Sequence, residues 1–71
     1  MDTSIRSYII NNFKNDKKEE LKKAIEESIK ENDEETLPGE GVFLEIIWND
    51  ADYELKEKML DIIMNRLKKE K

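Results

Sequence analysis

Cysteine and histidine are both missing from this 71-residue chain, so neither a disulfide framework nor a cysteine–histidine metal site can staple it. The lack of cysteine fits a reducing compartment. Thiol and imidazole chemistry are excluded with them. Ser, Thr and Tyr are present, but no general base stands out to activate one. Proline occurs once and glycine twice, all within Pro38, Gly39 and Gly41, so punctuation is confined to one place. No run approaches the roughly 18 to 20 apolar residues needed to cross a bilayer. The start, Met1-Asp2-Thr3-Ser4, lacks the basic and apolar regions of a signal peptide, and the expectation is an intracellular protein with no membrane partner.

What is abundant is charge: 44% of residues are charged against 37% hydrophobic, with 18 acids and 13 bases giving a net charge of -5. Composition alone would suit a disordered chain, but the order of residues places the apolar ones periodically. The length allows one domain, which buries only about 60% of its unfolded surface and therefore has a thin core. With no disulfide available, self-association is the remaining way to add stability.

Periodicity predicts four helices. Asp2, Thr3 and Ser4 offer caps to a first helix over about 4–13, in which Ile5, Tyr8, Ile9 and Phe13 share a face; Asn11, Asn12 and Asn15 crowd its end. Asp16 with Glu19 has the spacing of a cap and its reciprocal carboxylate, and Leu21, Ala24, Ile25, Ser28 and Ile29 carry a second helix over about 17–31. An acidic linker and turn then occupy 32–41. There Pro38 disfavours a helical Leu37, and Gly39 and Gly41 permit positive φ or close backbone approach. Val42, Phe43, Leu44, Ile46, Ile47 and Trp48, interrupted only by Glu45, form the most apolar run. A lone strand would leave its backbone groups unpaired, so the run reads as a short helix over 41–48, apolar all round and central to the core. Leu55, Met59, Ile62, Ile63 and Leu67 define a last helix over about 52–69, with Lys68, Lys69 and Lys71 complementing its dipole. The fold class is all-α: a single-domain bundle made of a helical pair at 1–31, the linker, and a helical pair at 42–71.

Few constellations could carry chemistry. Glu45 breaks the apolar run and has Arg6, Lys58 and Arg66 as candidate partners, which favours a structural ion pair over a catalytic carboxylate. Gly39-Glu40-Gly41 lacks the third glycine and the Lys-Ser/Thr of a phosphate cradle, and Glu40 would repel a phosphate. Asp33, Glu34 and Glu35 do not follow the ligand spacing of a calcium loop. The residues thus predict no catalytic, cofactor or metal site and no small-molecule substrate. Trp48 is read as packed between helices with its indole N–H bonded to a carbonyl, or else as an anchor for a partner, and Phe43 and Tyr53 share that ambiguity.

Nucleic-acid binding is opposed by the net charge, since duplex affinity rests on neutralising phosphates. The charge is nonetheless uneven. Residues 56–71 carry six bases against three acids, while 26–45 carry eight acids and one base, Lys30. Helix-dipole complementarity accounts for the terminal lysines as well as a basic docking surface does.

The string Leu37-Pro38-Gly39-Glu40-Gly41-Val42-Phe43-Leu44-Glu45-Ile46-Ile47-Trp48 resembles the Leu-Pro-Gly-x-Gly-Val-x-x-Glu-x-Ile-Trp signature of the I-type small acid-soluble spore proteins, the SspI family. Met1-Asp2, Ile5-Arg6, Ile9-Ile10, the acids before Leu37 and the stretch from Asn49 to Leu60 extend the likeness over most of the chain. The resemblance implies a minor protein made in the forespore of endospore-forming bacteria and held in the spore core, from a family not known for catalysis. It also makes Leu37, Pro38, Gly39, Gly41, Phe43, Glu45 and Trp48 the candidate interaction or structural signature. The Gly-rich DNA-binding segment of the abundant spore proteins is absent, and the lysines of 14–23 and of the C-terminal end depart from the family pattern.

Overall fold

The computed structural model describes residues 4–70, which fold as four α-helices: α1 (Ile5–Phe13), α2 (Lys18–Glu31), α3 (Leu37–Asp50) and α4 (Tyr53–Lys69). The Ser4 hydroxyl caps α1 by accepting from the Ser7 amide at 3.1 Å, satisfying one of the orphan donors of the first turn. The alternative caps Asp2 and Thr3 lie outside the described residues. The second helix starts one residue later than the cap spacing predicts. Its carboxylate partner is Glu20, which accepts from the Lys17 amide at 2.9 Å; Glu19 does not fill this role. Asp52 caps α4 by accepting from the Leu55 amide at 2.9 Å, and Arg66, Lys68 and Lys69 sit in its last turn.

The largest departure from expectation lies at 32–41. The linker is ordered: Asn32 closes α2 in the left-handed conformation, at φ 54°. Asp33 then starts a 3₁₀ turn, Glu34–Thr36, by accepting from the Glu35 amide at 2.9 Å. No Pro-Gly turn forms at 37–41. Leu37 is already helical at φ -59°, ψ -40°, Pro38 sits in the first turn of α3, and neither glycine has positive φ. Proline is compatible with that position because first-turn amides have no intrahelical acceptor, so its missing N–H costs nothing. The helix therefore spans Leu37–Asp50, well beyond the expected 41–48.

The closest packing between helices is where α1 crosses α3. Val42 lies there and is the one buried residue among those described, at 8% exposure. Phe13 meets Phe43 edge to face, with ring centroids 5.4 Å apart, a favoured arrangement for two aromatic quadrupoles. The rest of the apolar run is less enclosed than its pattern predicts: Leu44, Ile46, Ile47 and Trp48 all remain substantially exposed. The physical reason is a shortage of neighbours. A helix apolar all round needs partners on several sides, and three amphipathic helices of this length cannot cover it. The Cα radius of gyration, 13.8 Å, exceeds the roughly 11 Å of a compact chain of this length.

Candidate interaction surface

The signature residues fall into two sets on α3. Gly39, Phe43 and Glu45 each meet a residue of α1. A Cβ on Gly39 would lie 3.1 Å from Cδ1 of Ile9, a tight contact that the end of the Ile9 side chain would have to shift to relieve. Phe43 stacks on Phe13, as above. Glu45 accepts a forked pair of hydrogen bonds from Arg6, Nε to Oε1 at 2.7 Å and Nη2 to Oε2 at 3.0 Å. The planar guanidinium matches the carboxylate in two places, which fixes direction as well as distance. Of the three cations that the sequence offered to Glu45, the fold selects the one on α1. The fork holds the Glu45 carboxyl below the usual carboxylate range, chiefly through the hydrogen bond, and raises the Arg6 guanidinium above its own. Both groups are solvent-exposed, so this is a surface clamp between helices.

Glu40 performs a related task between α2 and the start of α3. Its carboxylate accepts from the Ser28 hydroxyl at 2.8 Å and from the Thr36 hydroxyl at 3.2 Å. Negative charge is favourable in the first turn of a helix, where amide dipoles point outward. Sequence reading did not pair Ser28 with Glu40. The available signal was a hydroxyl at a position on the inward stripe of α2, where an apolar residue would be expected.

The second set borders α4, although Gly41 also lies beside Ile5 and Arg6 of α1. Gly41, Leu44 and Trp48, spaced three and four apart, line an open, apolar groove of about 300 Å³ with Ile63 of α4. Trp48 is 37% exposed, and the ammonium of Lys56 stands 5.3 Å from its ring centroid, within cation–π range. A second apolar groove, about 390 Å³, runs between α1, α2 and the start of α3; Tyr8, Ile25 and Pro38 are among its walls. Leu37 is exposed at the head of α3. Leu37 and Trp48 thus form surface and Phe43 packs against α1, while Glu45 belongs to both sets, since it clamps Arg6 and also lines the groove beside Trp48.

Comparison with known proteins bears on the same signature. The sequence profile of small, acid-soluble spore protein I matches residues 3–67. The chain belongs to that family. Small, acid-soluble spore protein I of Geobacillus kaustophilus (strain HTA426) is 38% identical over 68 residues, covering 96% of this chain and 99% of the relative. The protein of the same name from Bacillus cereus (strain G9842) is 33% identical over 69 residues, covering 97% of this chain and all of the relative. No solved structure matches the chain. Membership of a sporulation family agrees with the resemblance carried by Leu37 to Trp48, and the all-helical fold agrees with the sequence reading.

Proposed function

We propose that the protein is a non-enzymatic component of the spore core, produced during sporulation, that works through contacts of its folded surface. The near full-length match to the spore-protein family carries this reading. The chemistry of the chain supports it. Arg6 and Glu45 move one another's titration away from neutrality and satisfy one another at the surface, so neither is poised as an acid or base. The distinctive residues Gly39, Phe43 and Glu45 serve helix packing. Immunoblots of vegetative cells, developing forespores and extracts of purified spore cores test the proposal. The protein is expected in the last two alone, and accumulation in vegetative cells would sink it.

The exposed apolar surface of α3 and α4 favours a second reading alongside the first, that of a small helical interaction module.

A further inference from the structure

The folded chain exposes 6529 Å², whereas a compact monomer of 8.5 kDa exposes about 4,700 Å². The excess, about 1,800 Å², is more than twice the roughly 800 Å² that each partner contributes to a standard interface. Most of the exposed large apolar side chains lie on α3 and α4. On α4, Leu60, Ile63, Met64 and Leu67 follow i, i+3, i+4, i+7 spacing and are all exposed. This stripe continues the groove that Leu44 and Trp48 form on α3.

Charge identifies the occupant. Near the stripe's end stand Arg66, Lys68 and Lys69; Arg66 pairs only with Glu70 on its own helix, and among the described residues neither lysine has an ion-pair partner. Glu34 and Glu35, in the 3₁₀ turn that leads into α3, likewise have no cationic partner among the described residues. The chain therefore carries an apolar face flanked by unpaired charge of both signs, the pattern of a self-complementary surface.

We propose that a second copy of this chain covers the α3–α4 face in a two-fold arrangement, the basic end of each α4 lying along the acidic turn that leads into the other copy's α3. α3 and α4 are joined by only Ala51 and Asp52, and Ile63 of α4 shares the walls of one open groove with Gly41 and Leu44 of α3. Two such pairs set face to face would give each α3 further helical neighbours from the other copy. Of the α1–α3 crossing, Glu45 borders this interface, since it lines the same groove. The proposal rests on the contact reading above and names the contact.

Sedimentation equilibrium of the full chain over roughly 5 to 500 µM, a range that brackets micromolar association, provides the test. The mass should rise from 8.5 kDa toward twice that value, and acrylamide quenching of Trp48 should fall in step. Ile63→Glu should weaken association by about 30-fold, as expected for a central interface residue, while circular dichroism stays helical. Should that variant unfold, the double variant Lys68→Glu/Lys69→Glu replaces it, since both side chains are fully solvated; it should weaken the dimer several-fold, and adding Glu34→Lys/Glu35→Lys should restore it. A monomer at every concentration overturns the proposal, whether or not it is retained on DNA, as do open-ended assembly and a dimer indifferent to these variants. A monomer found in the spore core would overturn this inference and leave the proposed location standing, whereas a vegetative dimer would do the reverse.

Discussion

The α1–α3 crossing and α4 are both built on apolar residues at helical spacing, yet they end in opposite conditions. At the crossing, a glycine, an aromatic pair, a forked ion pair and a buried valine act on the same two helices. On α4 the stripe is equally regular, but Ile62 is 69% and Leu67 58% exposed. Hydrophobic periodicity specifies which face of a helix seeks a partner and leaves open whether the same chain supplies it. The crossing is answered within the chain, and α4 is answered only in part.

Truncating one residue on each side tests that contrast most directly. Val42→Ala should lower unfolding free energy by about 2 kcal/mol, from lost transfer free energy and the cavity left behind. For a domain this small, that is a large part of the total. Ile62→Ala should change the same quantity by less than about 0.5 kcal/mol, because little contact is removed. Urea titrations of both variants at one dilute concentration, where the monomer dominates, provide the check. Equal losses would show that α4 is as firmly built into the fold as α3.

The glycines sharpen the comparison within a single helix. Both occupy α3 with negative φ, so neither is needed for backbone conformation. Gly39→Val should destabilise by about 1 to 2 kcal/mol, since its branches would press on Ile9 where α1 approaches. Gly41 has no atom within 4 Å of its would-be Cβ, and Gly41→Ala should stabilise by about 0.5 to 1 kcal/mol through helix propensity. Thermal melts of the two variants at dilute concentration, where the monomer dominates, would move in opposite directions. A Gly41→Ala chain that melts lower at high concentration would show that the groove beside Leu44 and Trp48 is filled in solution, as the dimer requires.

These residues also show what a sequence can reveal. The four helices were legible because Ile5, Tyr8, Ile9 and Phe13, and later Leu55, Met59, Ile62 and Ile63, hold their period over several turns. The onset of α3 was not. Pro38, Gly39 and Gly41 are the same letters whether they make a turn or open a helix, and only the approach of Ile9 to Gly39 shows that the glycine serves packing. Glu45 was legible as an ion-pair candidate, but choosing Arg6 over Lys58 and Arg66 requires the crossing of α1 over α3. The exposure of Trp48 was hidden for a related reason: burial depends on how many neighbours the chain can bring, which local pattern does not encode.

The smallest expected effect concerns the clamp between Arg6 and Glu45. Because the folded carboxyl is held below its ordinary range, the unfolded chain binds more protons over the intervening pH interval, so stability rises with pH there. The contribution is fully present above the range in which an unfolded glutamate titrates. It fades as pH falls through that range and vanishes once the folded carboxyl is itself protonated. Glu45→Gln should therefore flatten this part of the acid limb of a stability–pH curve and leave the neutral region only slightly lowered. Added salt should shrink even that difference, since both groups are in solvent. A large loss at neutral pH would mean that the fork holds α1 on α3, whereas a small one would leave that task to Val42, Phe13 and Phe43 and give Arg6 and Glu45 the narrower role of setting the direction in which α1 crosses.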